Sequence, residues 1–172
     1  MSEQVFATPR LKKFRKQIEN ALDVKITIEG DMANIEGESF GEYTALSVIE
    51  SLNYGFDLPI ALQLKNEEFM MEKLNLKRLT RPSRLATIKG RIIGLGGKTK
   101  RLIAELTDCE IAIKDNIIAI IGRTSDVDIT KQAISSLIHG SPHSSVYAFL
   151  EKNRKIRKEK VDIDEEDLRD RK

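Results

Sequence analysis

The sequence predicts an α+β protein made of two tandem units, each a three-stranded antiparallel sheet packed against helices on one face. Three observations predict this class: an internal repeat, an alternation of strand and helix patterns within it, and a glycine cluster between two helical patterns. The 172 residues are enough for two small cores. We place the first unit at residues 1–64, the second together with a C-terminal helix at 65–160, and a short acidic tail at 161–172.

The repeat appears when the sequence is shifted against itself so that Ile18 falls on Ile103, which aligns two stretches without a gap. Ten of the 38 positions from 18 to 55 are then identical. The identical pairs include Asp23 with Asp108, Ile26 with Ile111, Gly37 with Gly122, Leu52 with Leu137 and Gly55 with Gly140. Self-similarity at a fixed offset indicates two copies of one structural unit.

The elements of the unit are clearest in the second copy. The alternation of Cys109, Ile111 and Ile113 with polar neighbours predicts a half-buried strand, and Asp115-Asn116 predicts a turn. Asp126 is expected to cap a helix that ends before Gly140. In order, we expect a strand at 68–76, a helix at 85–93, the glycine loop at 94–97, a helix at 99–106, strands at 109–113 and 117–121, and a helix at 126–138.

Charge is distributed unevenly along the chain, although the formal net charge is only +2. The stretch from Lys73 to Ala104 contains ten Lys or Arg and no Asp or Glu. The stretch from Gln17 to Leu64 contains nine acids and one base. A basic cluster of this kind favours a polyanion as the partner of the middle of the chain.

Several function classes are disfavoured by composition. With one cysteine and two histidines, neither a disulfide framework nor a Cys/His zinc site is expected, and Cys109 is assigned to the core. No apolar run reaches the roughly 18 residues of a membrane span, and the first residues do not resemble a signal peptide, so we expect a cytoplasmic protein. We find no clustered nucleophile, base or metal ligands, and therefore expect a protein that is not an enzyme and needs no metal or cofactor.

The glycine cluster lies in the stretch 91–103, RIIGLGGKTKRLI. A P-loop would need a glycine at Ile92, and a dinucleotide fingerprint would need one at Thr99. Both nucleotide-binding motifs therefore fail on spacing.

The stretch from Ile92 to Lys98 instead resembles the signature of KH domains, in which an apolar residue and Ile precede Gly-x-x-Gly and a basic residue. The predicted element order resembles a type I KH fold. Glycines let the loop backbone approach a sugar-phosphate chain, and the next helix directs amides toward anionic oxygens. The resemblance implies a clamp for about four nucleotides of single-stranded RNA. The candidate RNA-binding residues are Lys89, Arg91, Ile92, Ile93, Gly94, Leu95, Gly96, Gly97, Lys98, Thr99, Lys100, Arg101, Ile111 and Ile113. For Ile111 and Ile113, burial in the core is an equal alternative.

The first unit departs from this signature. At the same offset, the glycine loop corresponds to Pro9-Arg10-Leu11-Lys12, which contains no glycine. We expect the first unit to keep a KH-like fold without the clamp, and to brace the second unit or bind protein. Peripheral candidates for RNA contact are Lys12, Lys13, Arg84, Arg154 and Lys155.

The stretch 138–151, IHGSPHSSVYAFLE, follows the second unit and makes the resemblance more specific. The chain is similar to archaeal KH-domain proteins related to the eukaryotic "partner of Nob" ribosome assembly factor. This resemblance implies binding near the 3′ end of the small-subunit (16S) rRNA, partnership with a PIN-domain rRNA endonuclease, and an association with translation initiation factors. His143 is expected to bond at the junction after the second unit in preference to contacting RNA. The acidic tail at 161–172 is expected to be disordered. The alternative function is a general KH-type regulator or translation accessory factor that acts on mRNA or initiation complexes.

Overall fold

The computed structural model describes residues 3–169, which form two α+β units and a long C-terminal helix. The fold class expected from the sequence is confirmed. The first unit consists of β1 (Glu3–Phe6), α1 (Pro9–Leu22), β2 (Lys25–Glu29), β3 (Met32–Glu36), α2 (Ser39–Tyr54), the short helix α3 (Leu58–Ala61) and a 3₁₀ turn (Leu62–Lys65). Among the described residues, no helix is both long and apolar enough to cross a membrane.

The second unit follows the same plan, with two helices, a 3₁₀ turn and a loop inserted after its first strand. It consists of β4 (Phe69–Asn75), α4 (Leu76–Leu79), a 3₁₀ turn (Pro82–Arg84), α5 (Leu85–Ile93), the loop turn (Leu95–Gly97), α6 (Lys98–Thr107), β5 (Glu110–Lys114), β6 (Ile117–Arg123) and α7 (Thr124–Ile138). The helix α8 (His143–Arg169) follows. The elements expected in this unit are all present, and α5 has the bounds expected from the sequence.

Both sheets are antiparallel and have their last strand in the middle, in the orders β1-β3-β2 and β4-β6-β5. The internal repeat is visible in the packing. A Cβ on Gly37 would lie 2.8 Å from Val24 Cγ1, and a Cβ on Gly122 would lie 2.5 Å from Cys109 Sγ. In both units, therefore, the residue between the helix and the second strand (Val24 or Cys109) packs closely against a glycine at the end of the central strand (Gly37 or Gly122).

The repeat ends before the first strand of each unit. Glu3 pairs with Ile35, and Glu72 pairs with Ile120, which is the counterpart of Ile35 in the repeat, so β1 and β4 are equivalent strands. At the offset of the repeat, however, Glu3 would fall on Ile88 in α5. The stretch between β4 and the glycine loop, which includes α5, is therefore almost entirely missing from the first unit.

The residues that align with the loop have a different structure in the first unit. Pro9 to Lys12 form the first turn of α1. The first unit thus lacks the helix before the clamp as well as the glycines.

The sheet of the second unit packs against the helices of its own unit on one face, as expected, and its other face is covered by the first unit. Ile118 and Ile120 of β6 face the helices of their own unit. Ala119 and Ile121 instead pack against Phe56 of the first unit. Burial on both faces explains why β6 is a continuous apolar run with no polar alternation. A salt bridge of 2.5 Å between Lys73 and Glu50 also joins the units, and it raises the pKa of Lys73.

The helix α8 packs on the second unit through Val146 and Leu150, which are buried. Farther along, Arg157 pairs with Asp126 at 2.5 Å. Asp126 therefore does not cap α7, which begins two residues earlier at Thr124. Residues 161–169, predicted to be part of a disordered tail, continue α8, and 170–172 lie outside the described residues.

Candidate nucleic-acid interface

The glycine loop is a single tight turn between two helices. Gly94, Gly96 and Gly97 all have positive φ, at 73°, 59° and 78°, a region that favours glycine. The amide of Gly97 donates to the carbonyl of Gly94 at 3.2 Å, which closes the turn. The side chain of Leu95 at the tip is 95% exposed. The loop therefore presents its backbone and one apolar side chain to solvent.

Gly94 and the two later glycines are required for different reasons. A Cβ on Gly94 would lie 2.2 Å from Thr99 Oγ1 and 2.7 Å from the Thr99 amide nitrogen, so the loop folds directly onto the first turn of α6. A Cβ on Gly96 or Gly97 would meet no atom within 4 Å. Open space next to these two glycines leaves room for another chain to approach the backbone closely.

Three side chains hold the loop in this conformation. The hydroxyl of Tyr147 on α8 donates to Thr99 Oγ1 at 3.1 Å, and Thr99 is buried beneath Gly94. The Nε2–H of His143 donates to the Arg91 carbonyl at 3.0 Å, just before the loop. Arg101 donates to the Gly96 carbonyl at 3.2 Å. The helix that follows the second unit is therefore part of the framework of the loop, and the structural role expected for His143 is confirmed.

Two of the predicted RNA-binding cations are turned away from the loop. Arg91 donates to the carbonyls of Leu137 at 3.0 Å and Ser141 at 2.6 Å, where it satisfies acceptors at the end of α7. The ammonium of Lys89 donates to the carbonyl of Asp115 in the β5–β6 turn. These bonds give the Arg91 guanidinium a structural role, and its assignment to RNA contact stays a prediction.

The predicted apolar floor is only partly available. Ile92 is fully buried and Ile111 is 7% exposed, and both belong to the core of the second unit. This burial favours the core role for both residues, and their assignment to base contact stays a prediction. Ile93 and Ile113 are half-buried and remain candidates, together with the exposed Leu95.

The positive charge at the loop comes from the first turn of α6. Lys98 and Arg101 are exposed and Lys100 is half-buried, and no carboxylate lies within ion-pair distance of these three among the described residues. The amino-terminal end of α6 carries the positive pole of the helix dipole at the same place. Together these features make an anion site in which backbone amides and side-chain cations lie close together.

The first unit has no comparable loop in the part of the chain that the structure describes. Thr8 caps α1 by accepting a bond from the Leu11 amide at 3.3 Å, and Leu11 is fully buried. Arg10 donates to the carbonyls of Leu52 and Phe56 at the end of α2. Lys12 and Lys13 are exposed on α1, but they lie on a continuous helix with no open turn beside them.

The peripheral candidates lie in two places. Arg84 is exposed directly before α5, whereas Arg154 and Lys155 lie on α8. Arg154 lines a cleft of about 800 Å³ at the carboxyl end of α6, the end opposite the loop. In that cleft Arg157 binds Asp126 and also donates to the Leu106 carbonyl at 2.7 Å and the Thr107 carbonyl at 3.1 Å.

Sequence reasoning did not identify Tyr147 as a support of the loop, nor Arg157 as the anchor of α8. Tyr147 has the helical spacing of a packing residue, and its hydroxyl partner is 48 residues away. No local pattern indicates such a contact. Cys109 lies far from the loop in the core, where burial raises the pKa of its thiol.

Three comparisons with known proteins agree with this geometry. Residues 70–155, half of the chain, match the family of the second KH domain of PNO1, a eukaryotic-type KH domain of type I. A KH domain-containing protein of Methanocaldococcus jannaschii is 32% identical over 166 residues, which cover 88% of this chain and 73% of that protein. The pre-rRNA-processing protein pno1 of Schizosaccharomyces pombe is 31% identical over 119 residues, and the match spans 67% of this chain and about half (49%) of that relative.

A solved structure is similar over nearly the whole fold. It is a chain of the complex of a/eIF2alpha, aDim2p and rRNA from Pyrococcus horikoshii. The TM-score is 0.79 at 29% sequence identity, and the alignment covers 90% of this chain and 94% of that one.

Proposed function

We propose that this chain, which belongs to the family of KH-domain proteins that includes PNO1, is a non-catalytic single-stranded RNA-binding protein that acts in assembly of the small ribosomal subunit. The observation that carries the proposal is the glycine loop. Its three positive-φ glycines, exposed tip and adjoining cations form a site for a sugar-phosphate chain, and none of the residues 94–101 is a Cys, His, Asp or Glu. The role of the second unit is therefore to hold RNA in place.

The RNA that we propose is the 3′ end of the small-subunit (16S) rRNA or its precursor. Two relatives support an rRNA target, since one is named a pre-rRNA-processing protein and a similar structure is that of a complex with rRNA. The clamp binds phosphates without regard to sequence, so recognition of one terminus needs contacts to the bases. Leu95 at the tip of the loop, Ile93 just before it and Ile113 on β5 are partly or fully exposed apolar side chains that can supply such contacts.

The further proposal is that the chain presents this RNA end to the PIN-domain endonuclease that matures it. The first unit lacks the clamp, and its sequence from Gln17 to Leu64 is acidic, so its surface repels phosphate and suits a protein partner. Cleavage belongs to the nuclease in this scheme, and this chain supplies position.

A second candidate function is an accessory role in translation initiation, with mRNA or an initiation complex as the target. One observation favours it: the similar structure from Pyrococcus horikoshii is a complex that also contains a/eIF2alpha. The two functions differ in the RNA that is bound, which is a single defined terminus in one case and many transcripts in the other.

A fluorescence-anisotropy titration tests the proposal. The probe is a single-stranded RNA that ends in the 3′ sequence of the small-subunit rRNA, the control is the same bases in scrambled order, and both are measured at two salt concentrations. Salt-sensitive binding that favours the true terminus is expected. Equal binding to both probes would contradict a function at the rRNA terminus, and absence of binding to either would contradict RNA binding altogether.

A further inference from the structure

We propose that the 77–84 segment, which runs from the second residue of α4 through the 3₁₀ turn before α5, is a second phosphate-binding surface that extends the RNA path beyond the glycine loop. The inference rests on the proposed RNA-binding function and adds a site to it. Four of the side chains in this segment are basic and exposed: Lys77, Arg78, Arg81 and Arg84.

The four cations of the segment are free to bind a ligand. Within residues 3–169, none of their side chains forms an ion pair or a hydrogen bond with the protein. Other cations of the second unit are engaged, since Arg91 binds two carbonyls and Lys73 binds Glu50. A group of unpaired like charges is unfavourable by itself, and a polyanion that covers it relieves the repulsion.

The segment is a fixed structure, although it contains little regular secondary structure. Leu76 is fully buried and its amide donates to the Asn116 carbonyl at 2.8 Å. The side chain of Asn75 accepts a bond from the Lys77 amide at 3.0 Å, and the Arg84 amide donates to the Arg81 carbonyl at 2.9 Å. A surface that is already ordered loses little conformational entropy when it binds.

The segment lies one short helix away from the glycine loop. It leads directly into α5, whose nine residues end at the loop and span about 14 Å at the α-helical rise of about 1.5 Å per residue. A KH loop holds about four nucleotides, so a longer strand that follows α5 in one direction reaches the segment. No acidic residue occurs in the sequence between Lys73 and Ala104, so no carboxylate of α5 itself repels the strand.

The residue types favour RNA over an acidic protein as the occupant. Three of the four cations are arginines, whose planar guanidinium groups donate in pairs to phosphate oxygens. Leu79 is half-exposed among them and offers an apolar contact for a base or sugar. One acidic residue, the exposed Asp115, lies in the β5–β6 turn, to which the Leu76 amide is hydrogen-bonded. The ammonium of Lys89 is bound to the Asp115 carbonyl in the same turn.

The test compares two triple variants on RNAs of two lengths. The first variant is Lys77→Gln with Arg78→Gln and Arg81→Gln. The matched control is Lys152→Gln with Lys158→Gln and Lys160→Gln, which removes the same charge from exposed positions of α8. The probes are the terminal 4 and 12 nucleotides of the small-subunit rRNA, titrated over a range of salt.

The wild-type chain should bind the 12-mer more tightly than the 4-mer. The segment variant should lose on the order of tenfold on the 12-mer, with the slope of log K against log salt reduced by roughly 2, since each lost phosphate contact on a single strand contributes about 0.7. Its affinity for the 4-mer and that of the control variant for both probes should stay within about twofold of wild type.

Three results would overturn the inference: unchanged binding of the 12-mer, equal losses on the two probes, or an equal loss in the control variant. Unchanged binding would leave the segment as a surface for an acidic protein. The variant Leu95→Asp with Gly96→Asp tests the clamp separately, because loss of the clamp removes binding to both probes. The experiment therefore distinguishes an error in the assignment of the 77–84 segment from an error in the proposed RNA-binding function.

Discussion

Arg10 and Arg91 donate to equivalent carbonyls in the two units, although they do not align in the repeat. Arg10 bonds the carbonyls of Leu52 and Phe56, and Arg91 bonds those of Leu137 and Ser141. In the repeat, Leu52 aligns with Leu137 and Phe56 with Ser141, whereas Arg10 aligns with Leu95. Arg10 is in the first turn of α1, and Arg91 is in α5. The first unit has thus lost a helix and a loop but has kept the contact that the helix supplied.

From this equivalence we predict that Arg91 stabilises the fold, whereas Lys98 binds RNA. Arg91→Met should lower the free energy of unfolding by about 1–3 kcal/mol, because the Ser141 carbonyl loses its side-chain donor and the Leu137 carbonyl is left with the Gly140 amide. RNA affinity of the folded protein should change little. Lys98→Met should show the opposite pattern, since this side chain is exposed. Denaturant titration and anisotropy on both variants measure the two effects, and a loss of affinity without a loss of stability in Arg91→Met would contradict the assignment.

Gly94 is predicted to be the glycine of the loop that tolerates substitution least. In Gly94→Ala the new methyl group would meet Thr99 Oγ1 and the Thr99 amide, at a residue whose φ is already positive. We expect a loss of about 1–3 kcal/mol in the free energy of unfolding.

Gly90→Ala is the matched control for this change, because Gly90 lies inside α5 and its Cβ would meet no atom within 4 Å. It should raise stability by about 0.5–1 kcal/mol. Thermal unfolding followed by circular dichroism would show the difference in sign, and equal effects at the two positions would contradict the close approach at Gly94.

Acidic substitutions at the tip of the loop should abolish tight RNA binding without unfolding the protein. Leu95 and Gly96 are both exposed, so Leu95→Asp with Gly96→Asp adds two charges that repel phosphate, and neither side chain meets a packed neighbour. Gly96 has a positive φ, so Asp at this position costs roughly 1–2 kcal/mol of backbone strain. The aligned residues Arg10 and Leu11 are unsuitable controls, because Leu11 is fully buried and Arg10 bonds the end of α2.

Lys12→Asp with Lys13→Asp is the better control, since both residues are exposed on α1 of the first unit. Affinity for the terminal rRNA oligonucleotide should fall at least about a hundredfold in the loop variant and much less in the control. Equal losses would show that the first unit also holds RNA.

The sequence was sufficient to predict the helices and strands of the second unit, but not the direction in which their side chains point. The bounds of α5 follow from the apolar spacing before Gly94, which is a local feature. Whether Ile92 faces the core or the groove depends on packing partners far along the chain. The same is true of Arg91, whose acceptors lie 46 and 50 residues away.

The first unit shows a different limit. A gapless alignment that begins at Ile18 cannot reveal that a helix is missing before it, because β1 is too short to carry a pattern of its own. The sequence likewise did not predict that Phe56 packs against β6. The continuous apolar run from Ile117 to Ile121 is nevertheless the pattern that a strand covered on both faces requires.

Cys109 is predicted to make stability fall at alkaline pH. Burial raises the pKa of its thiol above the ordinary value of 9.0, so the folded state keeps a proton that the unfolded chain loses. The contribution is complete below the unfolded pKa and declines as pH rises through the interval up to the folded pKa.

The variant Cys109→Val isolates this effect, since valine is the residue at the equivalent position, Val24. Denaturant titrations from neutral to alkaline pH should show a steeper loss of stability in the wild type than in the variant. A thiol reagent at mildly alkaline pH should modify the unfolded chain and spare the folded one. Rapid modification of the folded protein would contradict burial of the thiol.

The hydroxyl of Tyr147 is predicted to support RNA binding from beneath the loop, without touching the RNA. Tyr147→Phe removes the donor to Thr99 Oγ1, and Thr99 lies directly under Gly94. The loss of one net hydrogen bond is worth about 1 kcal/mol. If the bond holds the loop in its binding conformation, affinity should fall by about threefold to tenfold, which is the same free energy expressed as binding.

Two comparisons separate this positioning role from general destabilisation. Tyr43→Phe alters an exposed tyrosine on the first unit and should change neither stability nor affinity. Thr99→Ser keeps the hydroxyl that Tyr147 bonds, whereas Thr99→Val removes it at nearly constant volume. Affinity close to wild type in Thr99→Ser and a loss in Thr99→Val that matches Tyr147→Phe would place the effect in the hydrogen bond. If Tyr147→Phe lost stability but bound RNA with unchanged affinity when folded, the bond would serve only to attach α8, and the loop would be organised by Gly94 and α6 alone.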